Sequence, residues 1–209
     1  LNRYKRLNRE AESTVTAVGK FVSGELNDMN DIAKLLASSP DLAALLENPD
    51  HERLLRVNSI LDRYATLFDD TVCYIMNEKG VTLASSNRMS DQSFVGKDYS
   101  FRPYFRKSIQ GVSSDYFALG ITSMKRGHYS SHPVRNTRNE IIGVAVIKKN
   151  LDYIEMYFQN HPVCFLVDPN GIIFLSGEDR FLFHSLFALP SEVKKRLVRV
   201  RQFGYGPFL

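Results

Sequence analysis

Residues 72–86 lie over residues 163–177 without a gap, at an offset of 91. The first copy reads Val-Cys-Tyr-Ile-Met-Asn-Glu-Lys-Gly-Val-Thr-Leu-Ala-Ser-Ser and the second Val-Cys-Phe-Leu-Val-Asp-Pro-Asn-Gly-Ile-Ile-Phe-Leu-Ser-Gly. Val, Cys, Gly and Ser match in place, and most other pairs are alike in kind. Each copy is a β-branched and aromatic run, a polar turn ending in glycine, and a second apolar run, which is the pattern of a hairpin. Two like hairpins imply two related β-modules in tandem. The second begins near residue 161 and has only 49 residues, so it is smaller or incomplete.

Upstream of the repeat the texture is helical. Tyr4, Leu7, Ala11, Val15, Val18, Val22, Leu26, Met29, Ala33 and Leu36 recur in steps of three or four, which predicts one spine helix of about 50 Å. Ser39-Pro40 and Asn48-Pro49 read as starts of two shorter helices. The second carries Leu54, Val57, Leu61, Tyr64 and Phe68. Between the repeat copies, residues 116–123, 127–134 and 140–149 read as strands, with a turn at 135–139. Pro103 interrupts a mixed stretch, and a short helix follows Leu151. Residues 190–202 read as a helix with Gly204 as its C-cap. The expected class is α+β: a helical region over 1–69, a β-module over 70–160, and a smaller β-module over 161–209.

The longest apolar run, Ile141 to Ile147 counting Gly143, is far short of the roughly 20 residues that span a bilayer. The chain starts at Leu1 with no signal-peptide pattern, which reads as a piece of a longer protein. Its net charge of +4 is uneven. Residues 1–70 carry −3, residues 71–160 carry +5 and residues 161–209 carry +2. The mid-chain excess points to an anionic ligand or surface. Nucleic acid is disfavoured, because the cations are scattered and form no RNP, zinc-finger or basic-helix pattern. Nucleophile-elbow, P-loop, HExxH and dinucleotide fingerprints are absent, so catalysis by this segment is not expected. Cys73 and Cys164 lack metal spacing and are expected as buried free thiols. His128 and His132 would stand about 13 Å apart on a strand, too far to share a metal.

Chemistry concentrates in Phe94 to Phe105, where Arg102 is flanked by Ser100 and Tyr104. A guanidinium matches a carboxylate in bidentate fashion, and neighbouring hydroxyls supply further donors. If residues 116–123 are a strand, Tyr116, Ala118, Gly120 and Thr122 share a face with room for a ligand. Tyr129 and Ser131 share another such face. Val144, Val146 and Lys148 form a third, which puts Lys148 at the end of a buried stripe. Read separately, Arg102 is as well explained by a loop contact and Lys148 by solvent. Taken together, two cations could clamp two carboxylates.

At these residues the chain resembles the double Cache (PDC-type) extracellular sensor domains, especially the periplasmic sensors of bacterial C4-dicarboxylate sensor histidine kinases. The resemblance rests on Phe94–Phe105, Tyr116–Ser123, Arg126-Gly127, Pro133-Val134 and Gly143–Lys148. It implies a long N-terminal helix, a membrane-distal PAS-like ligand module and a smaller proximal one. It carries the ligand-binding role onto Ser100, Arg102, Tyr104, Tyr116, Ala118, Gly120, Thr122, Tyr129, Ser131 and Lys148, with no cofactor and no metal. Amino-acid-binding Cache domains commonly have an Asp where Lys148 stands, and a cation there suits a second carboxylate and repels an ammonium. The implied function is sensing succinate, malate or fumarate to control their uptake. The setting would be the periplasmic domain of an inner-membrane protein, with flanking transmembrane helices and a kinase domain outside this segment. The N-terminal helix could form a homodimer. A chemoreceptor or cyclase ectodomain for a monocarboxylate, and a ligand-free interaction module, are the competing expectations.

Overall fold

Thr71–Asn77 (β1), Thr82–Ser85 (β2), Ser114–Leu119 (β3), Arg126–Arg135 (β4) and Ile141–Asn150 (β5) pair antiparallel in the order β2-β1-β5-β4-β3. This is a computed structural model, and it describes residues 2–161 and 164–208. Val163, the first residue of the second repeat copy, lies outside them.

The strands read as nearly unbroken apolar runs because both faces of the sheet are covered. Cys73, Ile75, Ala145 and Ile147 point to one side. There they meet Ala33 and Leu36 of Met29–Ala37 (α2), Leu42 and Leu45 of Pro40–Glu47 (α3), and Val57 and Leu61 of His51–Leu67 (α4). Each fully buried Leu contributes roughly 1.5–3 kcal/mol. Tyr74, Met76, Val144 and Val146 take the opposite side with Ala118 and Tyr129, under Phe94, Tyr99, Tyr104 and Phe105. Val144, Val146 and Lys148 therefore share a face, as the alternation predicts.

Three local expectations are corrected. The helical stripe is not one helix: Asn2–Leu26 (α1) ends, and α2 starts at Met29 after a turn at Asn27-Asp28. Such residues favour caps over helix interiors. The two-residue turn keeps the three-to-four spacing in phase, so periodicity does not reveal it. The cap of α4 is Asp50, whose carboxylate accepts the Arg53 amide at 2.8 Å, and not the Asn48-Pro49 pair. The strand begun at Ser114 stops at Leu119, so Gly120 and Thr122 sit in a turn and not on the strand face. Pro103, which breaks the sequence periodicity, opens Pro103–Ser108 (α5) at a position that needs no backbone donor.

The chain divides into compact units at other places than 69/70 and 160/161. One unit holds residues 28–151 and 195–205, the other residues 1–27, 152–194 and 206–209. The change of local texture at residue 70 is no boundary, because the apolar faces of α2, α3 and α4 are buried on the sheet. Within the second unit, Phe21 of α1 stacks on Tyr157 of Asp152–Gln159 (α6) at 4.0 Å and meets Tyr153 edge-on. Phe165–Val167 (β6) and Ile173–Ser176 (β7) form its two-stranded sheet. Ser191–Arg199 (α7) begins in this unit and ends in the other. Among the described residues no helix is long and apolar enough to cross a membrane.

The 91-residue repeat is visible in the backbone. Asn77 Oδ1 accepts the amides of Lys79 and Val81 at 3.0 Å, and Asp168 Oδ1 accepts those of Asn170 and Ile172 at 2.9 Å. Gly80 and Gly171 close the two turns at φ 82° and 78°. Each hairpin has its bulge at the same place, between Ile75 and Met76 and between Leu166 and Val167. Both cysteines are buried free thiols, and burial pushes the Cys73 thiol up to about 12.

Candidate ligand-binding site

On the tyrosine-rich side of the larger sheet is a small cavity lined by Tyr74, Phe94, Tyr99, Arg102, Gly120, Ile121, Thr122 and Tyr129. It measures about 10 Å³, the room of one water. Tyr74 comes from β1 and Tyr129 from β4, each on the face that its strand parity dictates. Phe94 and Tyr99 are brought over the sheet because the chain at 96–99 is laced to the first hairpin. Gly96 N donates to Thr82 O, Thr82 N to Lys97 O, and Tyr99 N to Gly80 O, all at 2.9–3.0 Å. The 120–125 turn closes through Gly120 N to Lys125 O and Met124 N to Gly120 O. A Cβ at Gly120 would stand 2.5 Å from Ser123 Oγ, 3.2 Å from Lys125 O and 3.2 Å from the Tyr129 hydroxyl, so a larger residue here would push aside the Ser123 hydroxyl that faces Lys148.

Hydroxyl groups surround the cavity. The Tyr74 and Tyr104 hydroxyls are 2.8 Å apart, as are Tyr99 OH and Thr122 Oγ1. The Tyr104 and Tyr129 rings stack at 5.1 Å. Burial pushes the Tyr74, Tyr104 and Tyr129 phenols up, while the Arg102 charge pulls the other way on Tyr99, Tyr104 and Tyr129. All four stay protonated at neutral pH, available as donors to an anion.

Two cations are buried here, each 1% exposed. The Arg102 guanidinium donates to main-chain carbonyls: Leu119 at 2.8 Å, Arg201 at 2.8 Å and Val200 at 3.4 Å. Lys148 Nζ donates to Ser123 Oγ at 2.8 Å and Asn150 Oδ1 at 2.7 Å, and lies 6.0 Å from both the Phe94 and the Tyr129 ring. Its stem passes Gly127, where a Cβ would come within 2.7 Å of Lys148 Cε.

Of the residues singled out from sequence, Arg102, Gly120, Thr122 and Tyr129 line the cavity, Tyr104 backs it, and Lys148 lies over two of its rings. Tyr116 is opposite Tyr129 in the ladder with its ring 6.0 Å from Tyr104, and Ala118 is buried opposite Gly127. Ser131 is drawn to α5 instead, its hydroxyl meeting Ser108 Oγ at 2.9 Å. Ser100 packs against Gly80, its amide on Asp98. Tyr74, Phe94, Tyr99 and Ile121 of the wall, and Ser123 and Asn150 on the lysine, were missed. Strand parity could have found Tyr74, which alternates with the buried Cys73 and Ile75; the others are joined only by the tertiary fold.

The two histidines of β4 serve a separate polar cluster. Asp115 accepts from Asn30 Nδ2 at 2.6 Å and from Ser130, with His128 Nε2 at 3.3 Å; His132 pairs with Asn30 at 2.9 Å. Partial burial raises the Asp115 carboxyl, but these bonds outweigh it and hold it down at about 2, below the usual 3.8. A depressed carboxylate stabilises the fold above its unfolded pKa, and that contribution is lost as pH falls from about 4 to 2. Asp115→Asn should therefore flatten the acid limb of the melting temperature between pH 4 and 2.

An α+β arrangement of a helix-backed antiparallel sheet, a repeated hairpin and a cavity walled by buried cations and phenols is that of a Cache-type sensor domain. No protein-family model matches the chain. The C4-dicarboxylate transport sensor protein DctB of Pseudomonas aeruginosa is 34% identical over 164 residues, which is 78% of this chain and 27% of that protein. DctB of Rhizobium meliloti is 31% identical over 179 residues, 84% of this chain and 28% of the relative. The chain thus spans little more than a quarter of the length of these curated relatives. The crystal structure of the V. cholerae histidine kinase DctB sensor domain superposes with a TM-score of 0.88 at 31% identity, covering 98% of this chain and 80% of that one. The chain belongs to the family of DctB histidine-kinase sensor domains.

Proposed function

We propose that this chain is the periplasmic, ligand-sensing part of an inner-membrane histidine kinase, and that it binds a C4-dicarboxylate at the tyrosine-walled cavity. The observation that carries the reading is the pair of buried cations, Arg102 and Lys148, at one ring of phenols. In this reading Lys148 holds one carboxylate, and Arg102 takes the other with hydroxyl donors from Thr122 and Tyr129. Burial favours such a pairing, because a charge-assisted bond is roughly twice as strong as a neutral one. Tyr104 keeps Tyr129 in place by stacking, and Gly120 lets the ligand approach the backbone. A molecule of eight heavy atoms does not fit a one-water cavity, so ligand capture selects a conformation with the wall moved outward. That population shift is the signal sent to a kinase domain outside this chain.

Thermal denaturation of the domain with succinate, acetate and glycine tests the reading. Succinate at a hundred times its dissociation constant should add about 2.7 kcal/mol of stability, a rise of roughly 5–10 °C for a domain of this size. Acetate and glycine should give far less. Equal shifts for all three, or none, would remove the dicarboxylate assignment.

A further inference from the structure

Both terminal nitrogens of the Arg102 guanidinium donate to backbone carbonyls, and two of these three acceptors lie about a hundred residues away. The carbonyls of Val200 and Arg201 follow directly on the last turn of α7, where a helix leaves unpaired carbonyls and a partial negative charge. Arg102 caps that end. Leu119, the third acceptor, precedes the 120–122 wall of the cavity. The same strip is fastened to the outer edge of β3 by Leu119 N to Gln202 O at 2.8 Å and Gln202 Nε2 to Phe117 O at 3.1 Å. Arg201 holds a left-handed φ of 50°, unfavourable for a side chain other than glycine. Residues 195–205 are continuous at both ends with chain of the other compact unit.

We propose that Arg102 is a ligand-operated latch: a carboxylate entering the cavity takes the guanidinium from the carbonyls of Val200 and Arg201 and so releases the 195–205 strip from the edge of β3. This rests on the dicarboxylate reading above and extends it to the route by which the site is read out. An anionic acceptor outcompetes a neutral carbonyl for a buried guanidinium. When Arg102 turns away, the carbonyls of Val200 and Arg201 lose their cationic donor and the 200–201 turn loses its counterweight to the strained φ. The strip and the ligand thus compete for one side chain, and loosening either strengthens the hold of the other.

Hydrogen–deuterium exchange of the whole domain, with succinate as the probe and calorimetry on the same sample, tests this. Saturating succinate should speed exchange at least tenfold in peptides covering 195–205 and 117–120, with 73–76 unchanged. Gln202→Ala, which weakens the strip without touching the cavity, should bind succinate roughly fivefold more tightly, the equivalent of one net hydrogen bond. A merely structural Gln202 would leave affinity unchanged or weaker. Binding heat with exchange at 195–205 unchanged or slowed overturns the latch and leaves the dicarboxylate reading standing. No binding heat overturns both.

Discussion

Lys148→Met should weaken succinate binding at least a hundredfold while the domain stays folded. The ammonium is 1% exposed, and its hydrogen bonds to Ser123 and Asn150 are to neutral acceptors. Removing it leaves one ligand carboxylate in a dry site without a counter-charge. Stranding a buried partner in this way costs about 3–5 kcal/mol. Methionine keeps most of the stem that runs past Gly127, so that packing is preserved. Leaving Ser123 and Asn150 without their donor should cost the fold about 1–3 kcal/mol. Lys148→Asp should abolish binding outright, since it places a like charge against the ligand. Isothermal calorimetry decides: affinity within threefold of wild type for the methionine variant would take Lys148 out of the site. Gly127→Ala is a milder probe of the same geometry, because the crowded atom belongs to a flexible stem that can give way.

Gly143→Ala should destabilise the larger sheet by about 3 kcal/mol or more. An added Cβ would stand 2.4 Å from the Met76 carbonyl oxygen and 2.7 Å from Leu46 Cδ1. Gly143 is in β5, the central strand, paired with Asn77 on one side and Val134 on the other. The backbone is held by both ladders and cannot retreat, and α3 stands over the position. Gly96→Ala is the contrast. Nothing lies within 4 Å of its Cβ, and only the positive φ of 76° penalises it, for about 1 kcal/mol. Urea unfolding followed by far-ultraviolet circular dichroism ranks the two, and equal midpoints would contradict the packing account.

Much of this molecule is legible before any coordinates. The hairpins at 71–85 and 165–176 follow from β-branched runs and an Asx-type turn, all set by neighbours in the chain. The face shared by Val144, Val146 and Lys148 follows from the two-residue period of a strand. Where the structure departs from the strand pattern around the site, the cause is local. Residues 116–123 alternate like one strand, but the chain leaves the sheet at Leu119 because Gly120 and the turn to Lys125 bond to each other. Ser100 and Ser131 have the right chemistry beside the right neighbours, yet their partners are Asp98 and Ser108, chosen by how α5 and the 96–99 segment pack.

The sequence by itself determined the repeat, the two kinds of texture, the parity of the strands, and which side chains carry charge and hydroxyls. Those properties depend on backbone angles and periods that act over a few residues. Tertiary structure alone decided that α2, α3 and α4 belong with the sheet, that Ser123 and Asn150 hold Lys148, and that Arg102 reaches carbonyls at 200 and 201. A guanidinium is recognised by geometry and low dielectric at the place where the chain returns. No spacing along the chain encodes a partner 98 or 99 residues away.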